Sequence, residues 1–511
     1  MLSPTQLALL VPVASSAVWF LYHFFLIPRI HRLNALPGPP PKSIISGNAK
    51  DMVKFAWSEE DPYPGVYGKW LRTYGPAYHL RLLHFHTVVL ADPDALKHVF
   101  VSRADNYIRH ATQRGLYWSF TGGAGVLTTE GDVHAAQRKM LNPHFGYVNL
   151  KTFVRIFNTH AAVFASRLAS LADGNTVLDL HERMTKLSFD IIGLAAFGYA
   201  FKSQENESVS ILDAFEALNM TPTFASIYGH AYIPGFEHLP LPFLRKRKAA
   251  KAVLAQVVDD VIARKLAASA ESANKDLLDL VLESDENMTP HEARVHVLTF
   301  LLAGHETTST SLAWVLALLA QHPAVAAAVA DECRRVLAKA GDDGLSWDDL
   351  GELKYLKAVI NETQRLQPTA GILTLHCVAD DLVPRADAEP FFLPAGSRIT
   401  LHIGATHRNP QYWSRPDEFL PERFLEGSAL FAADKDLQRG RSSTYFFLPF
   451  SNGPRSCIGS RFAIAEMLVV LTHALARYDF RLDVSANTHA KIAGLTYKPT
   501  KLAMTVVPRT N

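Results

Sequence analysis

Cysteine is scarce in this chain, whose 511 residues include only Cys333, Cys377 and Cys457. Three scattered cysteines are too few for the disulfide framework that small secreted proteins use in place of a large core. The sequence therefore favours a reducing compartment, and a hydrophobic content of 48% allows a large core without cross-links. Because the number of cysteines is odd, one of them is free for a different chemical role.

Charge of one sign is lacking as well. The chain has 51 Lys and Arg residues against 49 Asp and Glu residues, a formal net charge of +2. Proteins that bind nucleic acid normally concentrate basic residues on one face, so the composition does not favour that class. No internal repeat and no long low-complexity tract interrupts the sequence.

The first charged side chain of the chain is Arg29, which follows a long apolar run over residues 7–27. About twenty apolar residues are needed to cross a hydrocarbon layer of roughly 30 Å, so residues 1–28 are predicted to form a transmembrane anchor. Arg29, His31 and Arg32 follow at once, and by the positive-inside rule the downstream domain faces the cytoplasm. A basic, Pro-rich hinge over residues 29–41 completes this region.

Two alternatives to a single anchor arise from the same patterns. A cleaved signal peptide requires positive charge before the apolar run and a small-residue cleavage site after it, and both are missing. Leu298–Ala320 is apolar enough to suggest a second membrane span, but His305, Glu306 and the hydroxyl residues at 307–311 oppose it. A buried core helix is the favoured interpretation.

The pattern after the hinge predicts one mainly α domain with small β-sheets, spanning residues 42–511. Alternating residues at 74–92 indicate a hairpin, and Ala/Leu-rich amphipathic segments fill residues 130–365. Strand-like pieces follow at 372–403, then a Pro-rich irregular stretch at 404–456, a last helix, and short strands at 479–508. The longest helix begins at a capping box of Thr289 and Glu292 and ends before Pro323.

The strongest chemical signal is the run Phe450-Ser-Asn-Gly-Pro-Arg-Ser-Cys-Ile-Gly459. Glycines on both sides of Cys457 allow the backbone to approach a flat ligand, and the following helix offers amides that stabilise a thiolate. Arg455 is suited to binding a carboxylate. A small buried cysteine in a loop is the simpler alternative, whereas zinc is excluded because no second Cys or His lies at the usual spacing.

This run matches FxxGxRxCxG and resembles the haem-binding signature of the cytochrome P-450 superfamily. The resemblance implies a cytochrome P-450-like fold with haem as the cofactor. It further implies that Cys457 is the axial ligand of the haem iron, that Arg455 meets a propionate, and that Phe450 packs beside the thiolate.

Two further motifs, in the expected order, resemble the buried triad of the same family. Glu362-Thr-Gln-Arg365 is similar to its ExxR helix, and Pro421-Glu-Arg423-Phe is similar to its PERF segment. The resemblance implies that Glu362, Arg365 and Arg423 form a structural cluster behind the haem. Buried charges of this kind persist only when they satisfy one another.

The sequence Ala303-Gly304-His-Glu306-Thr307-Thr resembles the oxygen-activating groove of the family. Gly304 removes a side chain where a small ligand must fit, and Thr307 can bond to a carbonyl one turn back. Glu306 can then relay protons. The alternative is a solvated Glu-Thr pair on an amphipathic helix.

Residues 131–138, which include His134 and Arg138, resemble the family's propionate-binding helix. His134 departs from the pattern because a tryptophan is usual there, and His376 stands where an arginine is frequent. We expect His134 and Arg138 to bind the haem edge, whereas His376 is equally compatible with a core histidine. The resemblance covers roughly residues 36–508.

The resemblance implies a monooxygenase that inserts one atom of O2 into an organic substrate, with electrons from NADPH delivered by a separate flavoprotein reductase. Candidate docking cations on the cysteine side are Arg439, Arg441, Arg461 and Lys139. Two rivals are a reductase-independent isomerase or dehydratase of the same fold, acting on a hydroperoxide or oxime, and a non-catalytic haem or sterol carrier on the membrane. Intact Glu306 and Thr307 favour the monooxygenase.

The substrate is expected to be lipophilic, since aromatic and aliphatic residues fill the segments that should form the pocket. These are Phe120, Val126, Phe215, Leu218, Phe224, Ile227 and Tyr228. The style of the motifs resembles microsomal enzymes of fungi, which favours the endoplasmic reticulum membrane and a role in terpenoid or other secondary-metabolite biosynthesis. Core packing is the alternative for each of these side chains.

Overall fold

A computed structural model describes residues 4–206, 209–219, 223–267, 276–284 and 288–509. Its α-helices are α1 Pro4–Leu21, α2 Ile27–Ile30, α3 Ala49–Met52, α4 Val66–Tyr74, α5 Pro93–Lys97, α6 Ala111–Thr121, α7 Gly131–Leu141, α8 Tyr147–Ala169, α9 Leu180–Phe197, α10 Ser210–Leu218, α11 Phe224–Tyr232, α12 Pro242–Ala267, α13 Leu277–Ser284, α14 Pro290–Gln321, α15 Pro323–Ala340, α16 Lys354–Leu366, α17 Ile403–Thr406, α18 Ala429–Leu437 and α19 Ser460–Leu475.

The strands are short and form small sheets at the margin of the helices. They are β1 Ala77–Leu82, β2 Phe85–Leu90, β3 Tyr107–Arg109, β4 Leu178–Asp179, β5 Ile372–Cys377, β6 Asp381–Val383, β7 Phe391–Leu393, β8 Arg398–His402, β9 Tyr478–Leu482, β10 Asn487–Ala493, β11 Thr496–Lys501 and β12 Ala503–Pro508. The largest sheet has the order β1-β2-β8-β5-β3. The mainly α fold with small sheets is confirmed, as is the hairpin at 74–92.

The long helix α14 runs through the centre of the molecule. Its capping box forms as predicted, with Thr289 Oγ1 accepting from the Glu292 amide at 3.2 Å. Nearly every residue from Val295 to Leu319 is buried, and Trp314 Nε1 donates to the Tyr497 carbonyl at 2.7 Å. The core-helix interpretation is therefore confirmed, because protein rather than lipid surrounds this apolar segment.

The stretch between 404 and 456 is less irregular than predicted. It contains the helix α18, which begins where Ser428 Oγ accepts from the Phe431 amide at 3.0 Å. Pro421–Phe424 and Gly453–Arg455 form short 3-10 helices. Local capping of this kind is easily missed in a Pro-rich context, where no apolar periodicity is sustained.

The N-terminal segment is helical almost without interruption, since a π-helical turn over Tyr22–Leu26 joins α1 to α2. Val13–Ala35 is long and apolar enough to cross a membrane, by length and composition, and little of it is buried. The chain becomes extended at Leu36. Leu33 and Leu36 are buried in a core that also contains residues of β2, β5 and β8, so this part of the predicted hinge packs against the domain.

Candidate active site

The loop that carries Cys457 is shaped by backbone contacts. The Cys457 amide donates to the Phe450 carbonyl at 2.9 Å, and Ser451 adopts a positive φ of 60°. The Cys457 side chain has accessible surface although protein surrounds it. Phe450 is half-buried in the same loop.

The environment of the thiol contains opposing electrostatic effects. Burial raises the pKa of Cys457, whereas the Gly459 amide at the start of α19 and the Arg138 guanidinium lower it. Arg138 also donates from Nη1 to the Ser456 carbonyl at 2.9 Å, so α7 is joined directly to the cysteine loop. The helix start and the cation are therefore both placed to favour a thiolate.

Gly453 is required by packing within the protein. Its φ is +72°, and a Cβ there would lie 2.0 Å from the Phe100 carbonyl oxygen. Close approach of the loop to residues 98–102 thus requires glycine, independently of any ligand. Gly459 is less restricted, with Phe145 3.8 Å from the position of an added Cβ.

Gly304 is also constrained by packing. A Cβ at this position would lie 2.7 Å from Ile192 Cγ1 on α9, so the glycine allows α14 and α9 to approach closely. Packing against Ile192 is thus one reason for the glycine, and its expected role in making room for a small ligand stays a prediction. Ala303, its neighbour, is exposed in the middle of an otherwise buried helix.

Thr307 lies one turn after Ala303 on the same face of α14. Its Oγ1 donates to the Ala303 carbonyl at 2.6 Å, the bond expected from the sequence. Ser311, a further turn along, bonds to Thr369 at 2.8 Å and so brings the turn that contains the exposed Ala370 next to this face. The three positions form a groove along α14.

Glu306 points away from that groove. It is 8% exposed, and its Oε1 accepts from the Thr496 hydroxyl on β11 at 2.9 Å. Burial raises the pKa of Glu306 to about 7, while Thr496, Asn219 and Lys498 lower it. The alternative of a solvated Glu-Thr pair is therefore wrong for Glu306, although its carboxyl group and Thr307 contact different neighbours.

Cationic side chains gather on the other side of Cys457. Arg455 forms an ion pair with Glu130 and donates to the Thr129 carbonyl at 2.5 Å. His134 is buried nearby, and burial together with Arg455, Arg109 and Arg138 lowers its pKa to about 4. The predicted residues Arg455, His134 and Arg138 thus lie together.

His376 lies at one end of this cluster, on β5. It is opposite Arg398 in the pairing with β8, and its ring centroid is 6.2 Å from that of His110. Burial lowers the pKa of His110 to about 4, and Arg398, His376 and Arg114 act in the same direction. His376 is half-buried beside Arg398 and His110.

The cationic cluster, which contains Arg455, Arg398 and Arg114, has more positive charge than the carboxylate of Glu130 can neutralise. Arg455 Nη1, Arg398 Nε and Arg114 Nε are buried and have no hydrogen-bond partner among the residues that the structure describes. Burial is costly for an unpaired cation, and planar guanidinium groups match carboxylates. The residues present therefore fit a ligand with acidic groups, such as the two propionates of haem, bound between this cluster and Cys457.

Sequence reasoning missed several members of this cluster. Arg109, Arg114, Arg398 and Glu130 belong to no recognisable motif, because their side chains converge only through sheet pairing and the turn before α7. The pairing of β5 with β8, had it been known, would have placed Arg398 opposite His376.

The predicted triad forms behind the cysteine loop. Glu362, Arg365 and Arg423 are almost completely inaccessible, and Arg365 binds both carboxylate oxygens of Glu362 at 2.7 and 2.9 Å. Arg423 Nε donates to Glu362 at 3.1 Å, and Arg365 Nη1 donates to the His407 carbonyl at 2.9 Å. The triad joins α16 to the segment after β8.

The predicted docking cations differ in whether they form ion pairs. Arg439 and Arg441 form ion pairs with Asp387 and Asp94, at 3.0 and 3.7 Å, whereas Arg461 and Lys139 are exposed.

Phe215 is 1% exposed and packs against the His305 ring at 5.0 Å, so it belongs to the core. Phe120, Val126 and Leu218 are also buried, and Tyr228 is half-buried. The side chains of Phe224 and Ile227 lie outside the described part.

Comparisons with known proteins agree with this geometry. The sequence model of the family described as Cytochrome P450 matches residues 37–505. Cytochrome P450 4F3 of Rattus norvegicus is 28% identical over 504 residues, covering 93% of this chain and 90% of the relative.

Two further relatives extend the comparison. Cytochrome P450 4F3 of Mus musculus is 30% identical over 374 residues, covering 70% of this chain and 68% of the relative. The chloroplastic carotene epsilon-monooxygenase of Arabidopsis thaliana is 29% identical over 449 residues, covering 83% and 79%. With the buried triad, the grooved central helix and the cysteine loop all in place, the chain belongs to the cytochrome P450 family, the haem-binding monooxygenases that use O2 and NADPH through a reductase.

Proposed function

We propose that this protein inserts one oxygen atom from O2 into a lipophilic small molecule, with Cys457 as the axial ligand of the haem iron. The observation that carries the proposal is the position of the Cys457 thiol. Its side chain keeps accessible surface, and although burial raises the pKa of Cys457, the Gly459 amide and Arg138 both act in the direction of the thiolate. A thiolate ligand donates electron density to the iron and promotes cleavage of the O–O bond, which is the chemistry the haem supplies.

The cationic cluster would hold the acidic edge of the cofactor. Arg455, with its unpartnered buried Nη1, is suited to one propionate, and Arg138 and His134 lie beside it. His376 is suited to the other propionate, together with Arg398 across the β5–β8 pair. Phe450 would pack against the thiolate side of the ring and restrict access of water.

Proton delivery would use Glu306 and Thr307. A pKa of about 7 leaves Glu306 able both to hold and to release a proton near neutral pH. The carboxyl group would exchange its bond with Thr496 for one that reaches the groove. There Thr307 Oγ1, now bonded to the Ala303 carbonyl, orients the proton towards the cavity.

The substrate and the cellular setting extend the same proposal. The groove is lined by the small apolar residues Ala303 and Ala370, and the name of one relative specifies carotene, a hydrocarbon. We propose a lipophilic substrate in terpenoid or other secondary-metabolite biosynthesis. The N-terminal helix would anchor the protein in the endoplasmic reticulum membrane, with the catalytic domain in the cytoplasm and an NADPH-dependent flavoprotein reductase docking near the exposed Arg461 and Lys139.

The decisive measurement is the carbon-monoxide difference spectrum of the dithionite-reduced protein. We expect a Soret band at the position of thiolate-ligated haem for the wild type and its loss in Cys457→Ser. Cys377→Ser is the matched control, because Cys377 is buried elsewhere and its Sγ donates to the Ala379 carbonyl at 3.0 Å, which a hydroxyl can also do. An imidazole-type band in the wild type, or an unchanged spectrum in Cys457→Ser, would overturn the assignment.

Reconstitution with a reductase separates the proposed reaction from its rivals. Turnover that requires NADPH and O2 supports the monooxygenase. Turnover of a hydroperoxide or an oxime without an electron supply would support the isomerase or dehydratase instead. Absence of turnover with every electron supply would favour a carrier.

A further inference from the structure

Three histidines converge where the N-terminal helix meets the catalytic domain, away from Cys457. His31 follows α2, whereas His79 lies on β1 and His86 on β2. One ring nitrogen of each lies within 4.8 Å of one ring nitrogen of both others. None of the three takes part in the proposed reaction, so the cluster requires a separate explanation.

The backbone holds the three residues in place. His79 and His86 lie on one face of the β1–β2 hairpin, because Arg81 pairs with His86 and His79 lies two residues before Arg81. The His79 amide donates to the Pro37 carbonyl at 2.9 Å, so the segment after His31 is joined to the edge of β1. Gly38 comes so close to the His79 carbonyl that a Cβ there would lie 1.8 Å from its oxygen.

The ring nitrogens are placed as ligands of one ion. His79 Nε2 and His86 Nδ1 are 2.9 Å apart. Tetrahedral Zn²⁺ with Zn–N bonds of about 2.0–2.1 Å separates its ligand nitrogens by about 3.3 Å. Zinc would therefore replace the hydrogen bond between these two rings and rotate them away from their nearly parallel arrangement of 8°. His31 Nδ1 accepts from the Leu33 amide at 3.2 Å, which leaves its Nε2 available.

Two further side chains with charge or a titratable group lie close to His86, namely Arg81 and His84. Imidazole binds zinc in its neutral form, so zinc would compete with protons for the three rings.

We propose that His31, His79 and His86 form a Zn²⁺ site that fastens the segment after the N-terminal helix to the β1–β2 hairpin. The fourth ligand would be an anion from solvent, because Arg81 places a positive charge beside the site. The His31 ring now stacks on His86 with centroids 3.8 Å apart and 2° between planes, so it would tilt to direct Nε2 at the ion. Zinc would restrict the angle between the anchor and the catalytic domain.

Zinc titration of the full-length, haem-loaded protein tests the site. After removal of adventitious metal, zinc is titrated in competition with a chromophoric chelator. We expect one tight site in the wild type and at least tenfold weaker binding in His79→Gln/His86→Gln. His84→Gln is the matched control, since His84 lies in the same hairpin but outside the ligand set, and its affinity should stay within twofold.

A second measurement reports on the linker itself. Zinc should slow tryptic cleavage after Arg29 in the wild type and in His84→Gln, but not in the double variant. X-ray absorption at the zinc edge should show three imidazole nitrogens. The carbon-monoxide spectrum of each variant checks that the domain is folded. Equal zinc affinity in the wild type and the double variant, or equal loss in His84→Gln, would overturn the proposal.

Discussion

Glu306 and Glu466 are both buried, and burial is the largest influence on the pKa of each. Glu306 on α14 is bonded to Thr496, whereas Glu466 on α19 is 1% exposed and has only Ser188 to lower its pKa. Burial raises the pKa of Glu466 to about 8. The native protein therefore holds a proton on Glu466 at neutral pH.

This proton makes stability depend on pH in a predictable direction. The ordinary pKa of Glu466 is 4.5 and its native value is about 8, so between these values the native state binds one proton more than the unfolded state. The free energy of unfolding therefore falls as pH rises through this window, by at most about 1.4 kcal/mol per pH unit from this group. Below pH 4.5 the contribution does not change.

Replacing Glu466 by glutamine should remove this dependence, because the amide is neutral at every pH. We expect Glu466→Gln to match the wild type near pH 5 and to become progressively more stable than the wild type towards pH 8. Urea unfolding of the haem-loaded protein, followed by circular dichroism at several pH values, measures the difference. The exposed Glu59→Gln serves as control for the replacement of a surface carboxylate by an amide. A difference that stays constant with pH for Glu466→Gln would contradict the prediction.

At the scale of elements, the contact between α14 and α9 depends on a single missing side chain. Gly304 lies where an added Cβ would be 2.7 Å from Ile192 Cγ1 and 2.8 Å from Ile192 Cδ1. Both helices are buried there, so neither can move without disturbing its other neighbours. The interior of α14 therefore keeps a glycine despite its poor helix propensity.

Gly304→Ala should destabilise the protein by about 1–2 kcal/mol, because overpacking of up to about 3 kcal/mol outweighs the gain of about 1 kcal/mol in helix propensity. In an Ile192→Ala background the same substitution should become neutral or stabilising. The double-mutant cycle, measured by urea unfolding, gives the coupling directly.

Gly115 offers the matched control for this cycle. It lies inside α6, and nothing is within 4 Å of an added Cβ. Gly115→Ala should therefore stabilise the protein by about 0.5–1 kcal/mol. If Gly304→Ala were equally stabilising in the wild-type background, close approach of α14 and α9 would not be the reason for the glycine.

At the scale of the whole molecule, the apolar run of the anchor ends before Arg29, but the chain already packs against the domain at Leu33 and Leu36. The chain is helical to Ile30, and Leu33 and Leu36 are 1% and 7% exposed in a core shared with the large sheet. Arg32 adds a contact over the Phe392 ring at 4.9 Å. The segment after the helix is therefore part of the domain.

Two truncations test this boundary. Removal of residues 1–28 should release the protein from membranes and cost up to about 1.5–3 kcal/mol, because Phe24, which is 5% exposed beside His84, is lost. Removal of residues 1–36 should cost up to about 3–6 kcal/mol more, because two buried leucines are lost as well, at about 1.5–3 kcal/mol each.

The measurement is thermal unfolding of both haem-loaded truncated proteins, with Leu33→Ala/Leu36→Ala in the full chain as control. The control should reproduce most of the loss. Equal stability of the two truncated proteins would contradict the packing of this segment.

Much of this protein was predictable from local sequence patterns. The mainly α class, the limits of α14, the hairpin at 74–92 and the triad of Glu362, Arg365 and Arg423 follow from periodicity, capping and short motifs. These features depend on residues close to each other in the chain or on a family pattern, so a single sequence carries them. The short helix α18 was missed because its only local signal is the Ser428 cap.

The tertiary structure decided what those patterns could not. The sequence by itself indicated the class of fold and the family, and it singled out Cys457 as the predicted axial ligand. Only the tertiary structure showed that Gly304 packs against Ile192 and Gly453 against Phe100. It also showed that Glu306 bonds to Thr496, and that the side chains of Arg114, Arg398 and Arg455 lie in one cluster. These contacts join residues far apart in the chain, and no local rule specifies a neighbour that arrives from another element.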